Sequence, residues 1–231
     1  ESKPTPETLG DLRAFLSRSA FDLGVAHDGD ADRIVILDGD GAVVHEDTVV
    51  AILAEHFVRA ASAPDPVVVT TPNASGRIDE RVAAAGGRVE RVRLGALHEG
   101  VAAARADGSS VVFAAEPWKH VHPAHGGWID GAASAAVLTR LVAAEGLGGL
   151  RDPVVERPYR KVSVDCPDGR KADAMAALEA ALPAAFPDAD VDTEYGVRVE
   201  RPDGSWTLVR PSGTEPYVRV YAEADDVDAL V

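Results

Sequence analysis

The alternation of strand and helix patterns in the middle of the chain constrains the fold more than any other feature. Apolar runs at residues 67–71, 88–93 and 110–114 predict strands, and amphipathic runs at 77–85 and 97–106 predict helices between them. Strands and helices that alternate in this way are typical of a parallel sheet covered by helices. We therefore expect an α/β domain with a largely parallel sheet in this region.

The residues before this region predict a smaller piece of mixed structure. The pattern indicates a helix over 5–17, strands over 22–26 and 34–38, and a further helix over 48–61. The Asp-Gly-Asp-Gly run at 38–41 is typical of a tight turn between strands. We expect the first helix and the two strands, which precede residue 45, to form a partial mixed α/β domain.

The residues after the alternating region predict a long helix, a break and a separate small domain. The helix is expected over 130–144, and glycines at 146, 148 and 149 with a proline at 153 make a candidate hinge. The next elements predict a C-terminal α+β domain with a small antiparallel sheet. They are strands at 160–165, 196–200, 205–210 and 217–222 and a helix at 171–182.

Charge and cysteine content limit the partners and the location. The 231 residues include 38 acidic and 23 basic side chains, and a formal net charge of −15 argues against nucleic acid as a partner because a polyanion is repelled. Lysine occurs only at positions 3, 119, 161 and 171, and an acidic, lysine-poor surface suits a halophile's cytoplasm. Cys166 is the sole cysteine, which fits a reducing cytoplasm. No run approaches the ~18 apolar residues of a membrane span, so no membrane partner is expected.

The strongest local signal is an acidic loop at residues 27–33, His-Asp-Gly-Asp-Ala-Asp-Arg. Asp28, Asp30 and Asp32 stand at alternate positions, with Gly and Ala between them, and can turn toward one point. Carboxylates so close together repel each other unless a cation neutralises them. Hard oxygen ligands favour Mg²⁺, so the loop predicts a magnesium site.

Three other interpretations of the acidic loop stay open. An EF-hand has glycine at its sixth position and glutamate at its twelfth, where this chain has Arg33 and Gly39. An aspartyl nucleophile of the haloacid-dehalogenase type is normally followed by Thr or Val at the position of Asp32. A solvated acidic turn without a ligand is the third interpretation.

A second candidate site lies near the C-terminus, between two predicted strands. The segment 210–216, Arg-Pro-Ser-Gly-Thr-Glu-Pro, offers two hydroxyls, a glycine that lets backbone N–H groups approach an anion, and a guanidinium. Arg219 in the following strand supplies a second cation. These groups predict a phosphate site, and a polar hairpin turn is the alternative.

Together these two motifs resemble the α-D-phosphohexomutases, a family that includes phosphoglucomutases, phosphomannomutases and phosphoglucosamine mutases. Residues 21–33 are similar to the metal-binding segment of that family, and 210–216 are similar to its phosphate-binding loop, in the same order. The resemblance implies that Asp28, Asp30 and Asp32 bind Mg²⁺ and that Arg33 lies near the reacting phosphoryl group. It also implies phosphate contacts from the C-terminal loop, at Arg210, Ser212, Gly213, Thr214 and Arg219.

A third segment matches the family in part. After the strand at 110–114 the family carries a Gly-Glu-x-Ser/Asn-Gly-His loop that contacts sugar hydroxyls, and this chain has Ala-Glu-Pro-Trp-Lys-His at 115–120. The resemblance implies sugar contacts from Glu116 and His120. Trp118 and Lys119 depart from the pattern. An indole stacks on the apolar face of a sugar, so Trp118 is a candidate substrate contact, with ordinary packing as an equal alternative.

Two further sets of polar residues are candidates for other roles. His120, His122 and His125 suggest zinc, but their spacing is loose and a fourth ligand is missing, so His122 and His125 are expected to be exposed or to line the cleft. Arg77 follows a strand end, where ligands of α/β sheets bind, and it contacts substrate or lies on the surface.

The resemblance also implies what this chain does not contain. Mutases of the family carry a phosphoserine in a Ser-His-Asn-Pro-like motif, and no serine here is followed by His-Asn. Ser134 and Ser163 lie in helix and strand patterns, where we expect no base beside them. The implied domains are residues 1–44 (end of the metal-binding domain), 45–150 (sugar-binding domain) and 151–231 (phosphate-binding domain).

These inferences predict the C-terminal part of a phosphohexomutase, inactive by itself and lacking the N-terminal domains. The implied ligands are a hexose or hexosamine phosphate, the hexose bisphosphate intermediate and Mg²⁺. Two alternatives are a sugar-phosphate-binding module without catalysis and a metal-dependent phosphatase with Asp28 as nucleophile.

Overall fold

A computed structural model describes residues 4, 5 and 7–230. The chain divides by contact into two compact units with the bounds Glu1–Val155 and Glu156–Val231. The first unit has two sheets and the second has one, and each unit is described by itself.

The first unit begins with a helix and a two-stranded antiparallel sheet. Helix α1 spans Gly10–Leu16, and strands β1 (Leu23–His27) and β2 (Ile34–Asp38) pair along their whole length. The helix starts later than residue 5, where it was expected, because the preceding residues form a turn on the Thr5 carbonyl. The predicted turn at 38–41 is present: the Asp38 carboxylate accepts hydrogen bonds from the backbone N–H groups of residues 40 and 42.

The larger sheet of the first unit has four strands in the order β4-β3-β5-β6. Strand β3 is parallel to β4 and to β5, and β6 is antiparallel to β5. The predicted helix-covered, largely parallel sheet is therefore confirmed. Its elements are α2 (Glu46–Ala60), β3 (Pro66–Thr70), α3 (Gly76–Ala84), β4 (Arg88–Arg91), α4 (Leu97–Ala106), β5 (Ser110–Glu116), β6 (Lys119–Val121) and α5 (Gly131–Arg151).

Helices cover both faces of this sheet, and strand β3 shows how. Val68 packs into the core cluster formed with α2, α3 and α5, whereas Val67 and Val69 pack into a second cluster with α4. All three valines are fully buried. Because successive side chains of a strand point to opposite faces, a continuous run of valines is what a strand covered on both sides requires.

Helix α5 confirms the predicted break in part. The helix is kinked at Gly146, whose backbone is non-helical with φ 73° and ψ 150°, and helical structure resumes as far as Arg151. Glycines 148 and 149, expected in a hinge, are helical, and the boundary between the units lies at 155/156.

Among the described residues α5 is also the one helix long and apolar enough to cross a membrane, a test that core helices of soluble proteins pass as well. Leu138, Leu141 and Val142 of α5 belong to the main core cluster.

The second unit is an antiparallel sheet with a helix on one face. The strand order is β7-β11-β10-β9-β8 with every pair antiparallel. Helix α6 packs its Met175 side chain against Val197, Val199, Val209 and Val218. The elements are β7 (Tyr159–Asp165), α6 (Asp168–Ala185), β8 (Asp190–Asp192), β9 (Val197–Glu200), β10 (Trp206–Pro211) and β11 (Tyr217–Glu223).

Candidate functional site

The acidic loop connects β1 to β2, so the end of one strand and the start of the next hold its carboxylates. Asp28, Asp30 and Asp32 each place an oxygen within 4.8 Å of the others. Ala31 has a left-handed backbone with φ 56°, which closes the loop tightly. The Asp28 carboxylate also accepts a hydrogen bond of 3.1 Å from the Arg33 backbone N–H, which fixes this carboxylate on the loop.

The oxygen atoms of this loop suit a small, hard cation. Asp32 Oδ1 is buried, and nothing in the described part of the chain donates a hydrogen bond to it. The Arg33 Nε atom lies 3.6 Å from Asp28 Oδ2 and 3.8 Å from Asp32 Oδ1, too far for a hydrogen bond. Three carboxylates with an unsatisfied oxygen, only partly balanced by one guanidinium, are a donor set that fits Mg²⁺.

The structure places the predicted sugar loop directly beside the acidic loop. The Ile34 backbone N–H donates a 3.0 Å hydrogen bond to the Trp118 carbonyl, and Arg33 and Lys119 form a β-bridge. Lys119 Nζ lies 3.2 Å from Asp32 Oδ2. Two segments more than eighty residues apart in sequence are therefore in direct contact in the first unit.

The sugar loop itself is a two-residue turn between β5 and β6, in which Glu116 pairs with Lys119. Trp118 has a φ of 70°, a conformation that glycine or asparagine normally occupies. Its indole packs, half-buried, against the apolar cluster of Leu9, Leu16, Val35 and Leu37. These contacts support the packing alternative, and a contact of Trp118 with substrate stays a prediction.

Glu116 lies at the start of that turn, on the strand side. Its Oε1 accepts a 3.2 Å hydrogen bond from the Gly95 backbone N–H. The carboxylate is half-buried, so it is held at the sheet edge with part of its surface accessible. This position is consistent with a contact to hydroxyl groups.

The two histidines that follow, His120 and His122, are buried, so the alternative that His122 is exposed is wrong. His120 Nδ1 and His122 Nε2 each lie 2.8 Å from Ser134 Oγ, inside the first unit. Burial, together with the adjacent His122, lowers the pKa of His120 to about 3, and burial also lowers the pKa of His122. Both rings are therefore neutral, and their nitrogens engage a serine hydroxyl. His125 is exposed, as expected.

Ser134 was missed in the sequence because its partners are twelve and fourteen residues away. It does have bases beside it, contrary to the prediction, but its side chain is fully buried. Such a hydroxyl is suited to orienting the His120 ring rather than to attacking a substrate. His120 itself is 1% exposed, so here it supports the loop from beneath.

Arg77 is buried, so the interpretation that it lies on the surface is wrong. Its Nε atom donates to Ser75 Oγ at 3.0 Å, and its Nη1 atom donates to Thr48 Oγ1 at 2.9 Å. Ser75 also caps helix α3, accepting from the Arg77 backbone N–H. The guanidinium therefore ties the start of α3 to α2.

The predicted phosphate loop connects β10 to β11 in the second unit. The Ser212 backbone N–H donates a 3.0 Å hydrogen bond to the Tyr217 carbonyl, and residues 213 and 214 are exposed at the tip. Lys171, from helix α6, donates to the Ser212 carbonyl at 2.7 Å and to the Glu215 carbonyl at 2.6 Å. This lysine, which the sequence pattern did not single out, anchors both ends of the loop.

Two arginines flank this loop as direct cross-strand partners, Arg210 on β10 and Arg219 on β11. Like charges placed opposite each other on a sheet are unfavourable. The Nε atoms of both are buried, and no described residue accepts a hydrogen bond from either. Arg219 forms an ion pair with Glu215 at 3.0 Å. Its hydrogen bond to the Tyr217 hydroxyl, with a further contribution from Tyr221, raises the pKa of Arg219. Such an arrangement is suited to an anion bound between the two guanidinium groups.

Two family models match most of the chain. Residues 45–156 match the alpha/beta/alpha domain III of phosphoglucomutase/phosphomannomutase, and residues 162–230 match its C-terminal domain. Both models describe one class of protein, the isomerases that move a phosphoryl group within a sugar phosphate. The chain belongs to the phosphoglucomutase/phosphomannomutase family and corresponds to a C-terminal portion of it.

Individual relatives agree with this assignment. The phosphopentomutase of Thermococcus kodakarensis is 41% identical over 229 residues, covering 96% of this chain and 49% of the relative. A probable phosphoglucosamine mutase of Methanopyrus kandleri is 40% identical over 230 residues, covering 97% and 49%. A crystal structure of a phosphoglucomutase/phosphomannomutase family protein from Burkholderia thailandensis superposes with a TM-score of 0.79 at 25% identity, covering 98% and 47%. The chain spans about half the length of these relatives.

Proposed function

We propose that this chain is the C-terminal part of a magnesium-dependent phosphohexomutase. It supplies the metal site, the sugar loop and the residues that bind the second phosphate. The observation that carries the proposal is the contact between the acidic loop and the sugar loop, where Lys119 lies 3.2 Å from Asp32. A metal site next to a sugar-binding loop is what phosphoryl transfer to a sugar hydroxyl requires.

The residues of the acidic loop hold and orient the reacting phosphoryl group. Asp28, Asp30 and Asp32 would bind the Mg²⁺ ion, which supplies positive charge to offset the charge of a phosphoryl group. Arg33 is partly exposed next to the carboxylates, and its guanidinium is suited to a phosphoryl oxygen.

The sugar loop and the phosphate loop orient the rest of the substrate. Glu116 accepts hydrogen bonds from sugar hydroxyls at the edge of the four-stranded sheet, and His120 supports the loop through Ser134. In the second unit, Arg210 and Arg219 grip the phosphate that is not being transferred, with Ser212, Gly213 and Thr214 around it.

A phosphoserine completes the reaction and is contributed by residues outside this chain. The serine donates its phosphoryl group to one hydroxyl of the sugar phosphate, giving a bisphosphate, and it later accepts the other phosphoryl group. The present chain has no serine followed by His-Asn. It is therefore proposed to bind sugar phosphates but not to interconvert them.

The substrate is proposed to be a hexose or hexosamine phosphate. Pentose phosphate is a second candidate, because a relative 41% identical to this chain carries the name phosphopentomutase. Trp118 and Lys119 replace the Ser/Asn and Gly of the family pattern, so the sugar loop offers different groups. Binding of hexose, hexosamine and pentose 1-phosphates, compared by calorimetry, distinguishes the candidates.

Manganese binding followed by electron paramagnetic resonance tests the metal site. The wild-type chain should bind one Mn²⁺ ion, and Asp32→Asn should weaken binding at least about tenfold, since one of three carboxylate ligands is lost. Asp40→Asn, which removes an exposed carboxylate in the 38–41 turn, is the matched control and should bind like the wild type. Equal affinities for the two variants would remove the acidic loop from the proposed mechanism.

A further inference from the structure

The backbone fixes Lys119 next to the acidic loop independently of its side chain. The turn before it is closed by the left-handed Trp118, whose carbonyl accepts the Ile34 N–H, and Lys119 forms a bridge with Arg33. The indole of Trp118 is held in an apolar cluster with Leu9 and other buried residues. The Cα atom of Lys119 therefore stays beside the acidic loop whether or not its ammonium has a partner.

The ammonium group lies next to Asp32, one of the three carboxylates that would bind the metal. It is 3.2 Å from Asp32 Oδ2, and both side chains are 28% exposed. The Arg33 guanidinium is a second cation in the described part of the chain near these carboxylates, with its Nε atom 3.6 Å from Asp28 and 3.8 Å from Asp32. Three carboxylates thus face two fixed cations, which leaves a small net negative charge for a divalent ion.

We propose that Lys119 is an internal counter-cation that competes with the divalent metal ion for Asp32 and so sets the metal affinity of the acidic loop. This inference rests on the proposed metal site. A metal ion on Asp32 draws on the carboxylate charge that Lys119 neutralises at Oδ2, and it places two cationic groups close together. The ammonium stays at the loop, where it is available to an anion such as a phosphoryl oxygen. In the family pattern this position is glycine, which has no such side chain.

Replacement of Lys119 by an uncharged residue should therefore strengthen metal binding. An exposed ion pair and one like-charge repulsion at the surface together amount to roughly a three- to tenfold change in affinity. The test is a Mn²⁺ titration of the 231-residue chain, in which electron paramagnetic resonance reports the free ion. Lys119→Met and Lys119→Gln should both bind Mn²⁺ about three to ten times more tightly than the wild type.

Two controls separate the local effect from net charge. Lys119→Arg keeps the cation and should stay within about twofold of the wild type, and Lys161→Met removes an exposed lysine of the second unit with the same change in net charge. The inference is wrong if Lys119→Met binds no more tightly than Lys161→Met while the wild type does bind Mn²⁺. If the wild type and all variants fail to bind Mn²⁺, the proposed metal site is refuted, and the role of Lys119 with it.

Discussion

The anchoring of the phosphate loop by Lys171 gives the sharpest prediction from the second unit. Its ammonium donates two short hydrogen bonds, to the carbonyls of Ser212 and Glu215, and pairs with Asp168 at 2.6 Å. The lysine side chain is only 12% exposed, whereas Asp168 is 82% exposed, so the two carbonyl contacts matter more than the ion pair. Lys171→Met should therefore release both ends of the loop.

The size of the effect follows from the kind of contact that is lost. A hydrogen bond from a charged donor contributes about 1.5–3 kcal/mol, and the exposed Glu215 carbonyl regains a water partner. We expect Lys171→Met to lower the free energy of unfolding of the second unit by about 1.5–3 kcal/mol. We also expect weaker binding of inorganic phosphate, because the loop is no longer held in one conformation.

Hydrogen exchange measured by mass spectrometry reports this loss directly. The Ser212 N–H is bonded to the Tyr217 carbonyl, and the Cys166 N–H is bonded to the Pro216 carbonyl, so peptides with these amides should exchange faster in Lys171→Met. Arg170→Met removes an exposed cation one residue away and is the matched control. Exchange and unfolding midpoints that are the same in Lys171→Met and Arg170→Met would refute the anchoring role.

Three further predictions concern the buried histidine, a close-packed glycine and the arginine pair. The pKa of His120 is about 6.5 in the unfolded chain and about 3 in the folded chain. The free energy of unfolding therefore falls as pH decreases between these values, by at most about 1.4 kcal/mol per pH unit. Denaturant melts should show a flatter pH dependence for His120→Gln than for the exposed control His98→Gln. A Cβ atom at Gly131 would lie 2.8 Å from the carbonyl oxygen of Ala31, which belongs to the acidic loop. Gly131→Ala should therefore displace the loop and weaken Mn²⁺ binding, measured by calorimetry. Gly149→Ala, whose Cβ atom meets no described atom within 4 Å, should leave the binding unchanged. Arg210→Met removes a like-charge cross-strand pair and should raise the free energy of unfolding by about 0.2–1 kcal/mol while it weakens phosphate binding; a loss of stability in urea melts would contradict this reasoning.

The sequence predicts most of the fold because long elements carry a period. The valines of β3 and the amphipathic pattern of α4 extend over enough residues to show their type, and α4 was predicted with its observed bounds. Strands β6 and β8 have three residues each, too few to show alternation, and were missed. The predicted break at the glycines is confirmed at Gly146, where the helix is kinked. It is wrong for Gly148 and Gly149, because the segment after the kink packs on the core through Leu147, and packing overrides the weak helix propensity of glycine.

The candidate site also contains some residues that the sequence reveals and others that it does not. The acidic loop and the phosphate loop are short motifs whose functional groups are adjacent in sequence, so a pattern can reveal them. Lys171, Ser134 and the ion pair of Lys119 with Asp32 depend on contacts between distant segments. No local pattern marks such contacts, and only the folded chain shows them.

The most direct measurement of the proposed function is ³¹P NMR of hexose, hexosamine and pentose 1-phosphates titrated with this chain in the presence of Mg²⁺. The proposal predicts that at least one sugar 1-phosphate shows a shifted or broadened phosphorus signal, that Arg210→Met reduces the change and the exposed control Arg201→Met does not, and that the sugar phosphate remains unconverted. Signals unchanged at millimolar protein would contradict the binding role, and isomerisation of the sugar phosphate by the chain alone would contradict the requirement for a phosphoserine from outside it.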